Sequence, residues 1–252
     1  MFVDVDKITY KYMHMRLAKF IANSGYCSRR EAEILIAEGR VKVDGSQIHT
    51  AVTFVDKNQH VTVDEKDLSS ESRTRLWLYY KPQNTITTHH DPQKRVTVFS
   101  LLPKNLPRVI SVGRLDYSTE GLLLLTNNGA LAHKFALPAT ALERKYMCRI
   151  FGDLRAEHIN KIANGITIDG ISYGKIKITY NNTSKKLNFW VTISLTEGKN
   201  REIRKVLAYF GVQVSRLIRV SYGEFMLNGM KPGDIKEVQE QVISRLLPYN
   251  NI

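Results

Sequence analysis

The stretch GRLDYSTEGLLLLT, residues 113–126, constrains the fold most. Leu122 to Leu125 present no polar side chain on any face, so they form a fully buried short strand or a piece of buried helix. Ahead of them, Asp116 to Gly121 reads as a turn, because short polar side chains bond nearby backbone and glycine accepts positive φ. One carboxylate, Asp116, therefore stands between an arginine, Arg114, and a wholly apolar run. Read in isolation, this is a surface loop before a core element. The rest of the chain decides whether it is more.

A chain of 252 residues, 43% of them hydrophobic, can bury a substantial core in one or two domains. Its 37 Lys and Arg against 24 Asp and Glu give a formal charge of +13. That excess favours a polyanionic partner, nucleic acid before an anionic membrane surface. No apolar run approaches the roughly 20 residues of a membrane span. The start, MFVDVDKITYKYMHMR, lacks the apolar centre of a signal peptide. Two distant cysteines, Cys27 and Cys148, suggest neither a disulfide framework nor a cysteine zinc site. A reducing, cytoplasmic setting is the expectation.

The distribution of charge is more informative than its total. Up to Leu68 there are ten basic and ten acidic residues, so the whole excess falls in residues 69–252. Any nucleic-acid contact by the first segment must come from patterning. Residues 1–14 read as a tail. RLAKFIANSG then spaces Leu17, Phe20 and Ile21 for one helical face and ends at Gly25. Ser28 with Glu31 makes a capping box that opens a second helix, stopped at Gly39. VKVDGSQI reads as strand, Asp44-Gly45 turn and strand, and HVTV at 60–63 as another strand.

Arg29 and Arg30 fall in the first turn of that second helix, where the helix dipole disfavours cations by about 0.3–1 kcal/mol. Two solvated arginines and an anion-binding spot are equally good readings of the residues alone. Residues 15–63, with MRLAKFIANSG, CSRREAEILIAEGRVKVDG and the closing VTVD, resemble the S-four RNA-binding domain. The resemblance implies that Arg16, Lys19, Arg29, Arg30, Arg40 and Lys42 face RNA. Domain boundaries follow as 15–68 for this module, the polar SSESRTR at 69–75 as linker, and 76–247 for a second domain.

In the second domain, strands are expected at LWLYY (76–80), RVISV (108–112), GLLLLT, KYMCRI (145–150), KIKITY (175–180) and NFWVTISL (188–195). Helices are expected near 130–137, 155–165 and 200–211. Strands and helices are interspersed without strict alternation, which predicts an α+β fold with a mostly antiparallel sheet. No GxGxxG, phosphate loop or HExxH occurs, and His89-His90 has no companions at metal-ligand spacing. A reaction without metal or cofactor is the default. In the helix 200–211, Asn200 can cap, Gly211 can close, and Ile203, Val206, Leu207 and Phe210 form one buried stripe. At about 100° per residue, Arg204 lies at the edge of that stripe. It can snorkel to water or reach inward to an acid.

GRLDYSTEGLLLLTNNG, ERKYMCRIFG and EGKNREIRKVLAYFGVQVSRLIRVSYGEF, behind LYYKPQNTITTHHDP, resemble in order the motifs of the Rsu-type ribosomal RNA pseudouridine synthases. The match runs from Met15 to about Leu247. The resemblance implies site-specific isomerisation of uridine to pseudouridine in ribosomal RNA, with large-subunit RNA favoured over small-subunit RNA. It implies Asp116 as the catalytic aspartate, Tyr146 as the tyrosine against the target base and Arg204 as the arginine paired with Asp116. Arg114, Ile203, Asn200, Arg201 and Lys81 are implied as substrate-binding. No cofactor or metal is implied, and the partner is ribosomal RNA or an assembly intermediate, bound by a monomer. One departure is Tyr80-Lys81-Pro82-Gln83-Asn84, where family members have asparagine first and glycine last. Asparagine tolerates left-handed geometry, which preserves such a turn. A non-catalytic RNA-binding protein on the same fold is the alternative, and the presence of all three catalytic-type residues opposes it.

Overall fold

A computed structural model describes residues 14–56, 58–69, 73–180 and 187–246. The expected tail to residue 13 and part of the expected linker, 70–72, lie outside them. The chain divides into two compact units. One runs up to Arg75 and takes in Asn105–Ile110 and Asn127–Gly129; the other holds Leu76–Lys104, Ser111–Thr126 and Ala130 onward.

The first unit follows its sequence signals closely. β1 (Met15–Arg16) leads into α1 (Leu17–Asn23) and α2 (Arg29–Ala37), followed by β2 (Val41–Val43), β3 (Ser46–Ile48), β4 (Phe54–Val55), β5 (Val61–Val63) and β6 (Lys66–Leu68). The Ser28 hydroxyl accepts from the Glu31 N–H (3.2 Å), and the Glu31 carboxylate accepts from the Ser28 N–H (2.7 Å), completing the capping box. Asp44 and Gly45 both take positive φ, 50° and 81°, as a two-residue hairpin turn requires. Leu17, Phe20, Ile21, Ile36, Val41, Val61 and Val63 make one apolar core. The polar stretch before the second unit is tied down where it is described. Arg75 N–H donates to Asn127 Oδ1 (2.8 Å), Asn127 Nδ2 to Arg73 O (2.8 Å), and Asn128 Nδ2 to Thr74 Oγ1 (2.7 Å).

In the second unit the elements run β7 (Leu76–Lys81), β8 (Ile110–Ser111), β9 (Glu120–Thr126), α3 (Gly129–Ala136), β10 (Arg144–Phe151), α4 (Ala156–Ala163), β11 (Ile166–Ile168), β12 (Ile171–Tyr173), β13 (Lys177–Thr179) and β14 (Asn188–Leu195). α5 (Glu202–Tyr209), β15 (Gln213–Tyr222), β16 (Phe225–Met226), β17 (Ile235–Glu237) and α6 (Glu240–Leu246) complete it. The main sheet has the order β13-β14-β10-β15-β9-β7-β17. Every pairing along this path is antiparallel except β15 with β9. The four-leucine run is thus an interior strand, flanked by β7 and β15, and every residue of β9 is buried.

Three expectations need correction. RVISV yields only the two residues of β8. The ten-residue β15 was not expected as a strand, because Arg216 and Arg219 interrupt its apolar alternation. Arg201, not Asn200, occupies the N-cap of α5, at φ 51° and with no side-chain cap. Glu202 supplies the missing acceptor, since its carboxyl takes the Lys199 N–H (2.9 Å). Ile203, Val206 and Leu207 face the core as the stripe predicts, around the same apolar spot as Ile162 and Ile193, whereas Phe210 is only half-buried and stacks on His158.

Candidate active site

A cleft of about 540 Å³ in the second unit is lined by the turn at Asp116, by β10 and β15, and by the loop entering α5. Asp116 is half-buried and heads a tight turn closed by the Thr119 N–H on Asp116 O (3.0 Å). Five consecutive carbonyls around it are engaged. Besides Asp116 O, Leu115 O accepts from Thr87 Oγ1 (3.0 Å) and Tyr117 O from the Asn84 N–H (2.9 Å). Ser118 O accepts from Arg204 Nη2 (3.2 Å) and Thr119 O from Lys81 Nζ (2.7 Å). Buried carbonyls require such partners, and here those from outside the turn come from two segments, residues 81–87 and α5. The backbone that carries the carboxylate is held rigidly while the carboxylate itself is left for the cleft. Asn84 makes its contact from φ 61°, the left-handed geometry expected of an asparagine at that point.

Tyr146 on β10 is 9% exposed and lines the cleft. The β10–β15 ladder shifts register between Lys145 and Tyr146 and again after Arg149. Such bulges re-aim side chains locally. Tyr146 stands opposite Arg219, and Arg219 opposite Gly121 of β9. A Cβ on Gly121 would lie 2.4 Å from the Arg219 carbonyl oxygen, so glycine is needed for β9 and β15 to approach this closely.

Arg204 neither snorkels freely nor makes a direct ion pair with Asp116. Its Nη1 donates to Val214 O (2.8 Å) and its Nη2 to Ser118 O, so the guanidinium ties β15 to the Asp116 turn. Burial, then the neighbouring Arg201 charge, lowers its pKa, while Asp116 attracts it through space and raises it. Arg114, Ile203, Asn200 and Arg201 line the same cleft as Asp116, Tyr146 and Arg204. Lys81 does not. It is fully buried, with its ammonium donating to Thr119 O and Pro82 O (3.0 Å), and burial lowers its pKa to about 8. The expectation that it binds substrate is corrected: Lys81 braces the turn from behind.

Among the RNA-facing candidates of the first unit, Arg16, Lys19, Arg29 and Arg30 are exposed. Arg40 is engaged bidentately by Asp64 (Nε–Oδ1 2.8 Å, Nη2–Oδ2 2.6 Å), and Lys42 by Glu65 (2.7 Å). Surface pairs of this kind are weak, so a phosphate can displace them.

Among the charged residues of the cleft, sequence reasoning misses Arg144, Arg219, Glu197, Lys199 and Glu202. The signal for the arginines was a charge on the buried parity of a strand, visible in RKYMCRI as Arg144, Tyr146, Cys148, Ile150. Glu202 is 3% exposed, and burial together with the facing Glu197 carboxyl pushes its pKa up to about 8. Glu197 is also drawn up by burial, but bonds from Glu202, Lys199 and the Gly174 N–H outweigh this and lower it. The pair holds one proton between them at neutral pH. An unfolded Glu202 ionises near 4.5, so its contribution to stability is present below that pH and lost as pH rises through about 8. Urea midpoints should therefore move in favour of Glu202→Gln, relative to the native chain, from about pH 5 to about pH 8.5. A difference that stays flat across this range contradicts the shared proton.

A family model described as RNA pseudouridylate synthase matches residues 51–209, and one described as S4 domain matches residues 15–61. An uncharacterized RNA pseudouridine synthase of Rickettsia typhi is 47% identical over 92% of this chain and 95% of its own length. A ribosomal large subunit pseudouridine synthase B of Buchnera aphidicola is 37% identical over 93% of this chain and 96% of its own. The corresponding protein of Yersinia pestis is 40% identical over 85% and 69%. A crystal structure of a pseudouridylate synthase superposes with a TM-score of 0.66 at 22% identity, covering 92% of this chain and all of that one; it shows a shared fold.

Proposed function

Because the chain belongs to the RNA pseudouridylate synthase family, we propose that it isomerises uridine to pseudouridine in ribosomal RNA of the large subunit, with Asp116 as the catalytic carboxylate. The observation that carries this reading is the pinned turn, which presents one unencumbered carboxylate to a cleft walled by Tyr146. The substrate assignment rests on relatives named for large-subunit ribosomal RNA.

The reaction needs no external group donor. The N1–C1′ bond of uridine breaks, its electron pair leaving with uracil. The base turns, its C5 bonds to C1′, the proton on C5 departs, and N1 gains a proton. Asp116 acts at the sugar, either capturing C1′ or removing a proton from the ribose. Tyr146 stacks on the base and keeps it in place while it is detached. A target base stacked in RNA is flipped out to reach the cleft, whose volume falls within the roughly 300–1,000 Å³ of small-ligand sites. Arg114, Asn200 and Arg201 hold the flanking backbone. The protein works as a cytoplasmic monomer, and no helix among the described residues is long and apolar enough to cross a membrane.

The S4 module selects RNA through a few exposed cations rather than bulk charge. Replacing Arg29 and Arg30 together by alanine should weaken binding to ribosomal RNA fragments about tenfold and flatten the salt dependence by about one to two phosphates. The single-turnover rate at saturating RNA should stay within about twofold. Unchanged affinity and salt slope would remove these residues from recognition. The overall function is tested by mapping pseudouridine in ribosomal RNA from cells lacking the protein: loss at a single large-subunit position is expected, and an unchanged map refutes it.

A further inference from the structure

Two arginines on the cleft floor play no part in holding the Asp116 turn. Arg144 opens β10 and Arg219 lies near the end of β15; they are 6% and 3% exposed. Both clasp Tyr222, with guanidinium carbons 4.9 and 5.0 Å from its ring centroid. Arg144 is fully engaged, donating to Thr196 O and to the Tyr222 hydroxyl (2.9 Å), while that hydroxyl donates to Phe135 O (2.8 Å). Arg219 is not. Its Nε donates to Leu122 O (2.7 Å), but its Nη2 is buried without a partner. Among the described residues no carboxylate pairs with either arginine.

A guanidinium withdrawn from water without counter-charge is strongly unfavourable. Its position indicates where the counter-charge comes from. Arg219 is the direct cross-strand neighbour of Tyr146, and such neighbours project from the same face with Cβ atoms about 5 Å apart. On its other side stands Gly121, with no side chain to intervene, at the start of the strand that the Asp116 turn feeds. Arg219 lines the same cleft as Tyr146 and Asp116, with its guanidinium held by the Tyr222 ring and Leu122 O.

We propose that Arg219 is a further catalytic residue, donating from its guanidinium to a carbonyl oxygen of the target uracil and stabilising the negative charge the base carries while detached. This rests on the uridine-isomerising function proposed above. When N1–C1′ breaks, the electron pair passes to N1 and spreads onto the ring carbonyls. When C5 attacks C1′ and its proton is lost, with N1 protonated, the charge disappears again. The charge exists only between the two bond events, so a preorganised donor aimed at it lowers the barrier without tightening ground-state binding.

The test compares RNA carrying uridine with RNA carrying 5-fluorouridine at the target position, in single turnovers of the native protein, Arg219→Lys and Arg219→Gln. Cleavage of the original glycosidic bond is read by nucleoside mass analysis. Arg219→Gln should slow uridine about 10²–10³-fold, with RNA affinity within about twofold, and Arg219→Lys should fall between. Fluorine already stabilises the uracil anion, so the loss on 5-fluorouridine should be at least about tenfold smaller. This ratio between substrates is unaffected by the folded fraction of a damaged variant. Equal losses on both substrates overturn the proposal. So does an unchanged rate constant with weakened, less salt-dependent binding, which would place a phosphate at Arg219. If the native protein converts neither RNA, the isomerase reading falls as well, and the two failures are thereby distinguished.

Discussion

Asp116→Ala should abolish pseudouridine formation, lowering the single-turnover rate by on the order of 10⁴-fold or more, while RNA affinity changes less than about threefold. The asymmetry follows from the structure. The carboxylate accepts no hydrogen bond among the described residues, and the turn is held through its backbone by Thr87, Asn84, Arg204 and Lys81. Truncating the side chain therefore leaves the turn in place and removes only the reacting group. Affinity comes mostly from phosphate contacts elsewhere. Asp116→Asn, of the same shape but without charge, should be equally inactive. Turnover by Asp116→Ala well above background would take Asp116 out of the chemistry.

Arg204→Met should come next in severity, with the single-turnover rate down about 10²-fold and RNA binding nearly intact. The guanidinium bridges Ser118 O and Val214 O, and methionine leaves both carbonyls without a donor. Hydrogen bonds to charged groups contribute about 1.5–3 kcal/mol each, and a misplacement of about 1 Å at a reacting group can cost 10²-fold in rate. Arg204→Lys should recover little, because an ammonium cannot span two carbonyls as the planar fork does. Lys205→Met, on the exposed side of α5, should behave as the native protein does. Similar rates for Arg204→Met and Lys205→Met would mean that the bridge does not position the turn.

Much of this arrangement was legible in the sequence. The capping box at Ser28, the Asp44-Gly45 turn and, but for the half-buried Phe210, the stripe Ile203, Val206, Leu207 are local patterns that appear as expected. The buried run Leu122–Leu125 could not declare itself strand or helix, since an unbroken apolar segment lacks a period; its neighbours β7 and β15 decide it. Side-chain roles set by long-range contact were harder. Arg204 lies at the edge of its stripe as its spacing predicts, but its partners, one of them 86 residues away in sequence, are carbonyls rather than the Asp116 carboxylate. The resemblance implies Lys81 as substrate-binding, and only the fold shows it sealed behind Thr119. β15 was hidden by its own arginines. Of the charges that break its alternation, Arg219 lines the cleft and Arg216 pairs with Glu120.

The central claim is that the cleft around Asp116 converts uridine to pseudouridine in large-subunit ribosomal RNA. Its most direct test is tritium release from C5-labelled uridine in a large-subunit RNA transcript, followed in a single turnover with the purified protein and with a search for free uracil. The account predicts release of the label, with pseudouridine as the product, no free base, and no release by Asp116→Ala. Label retained by the native protein, or uracil found free in solution, would contradict it.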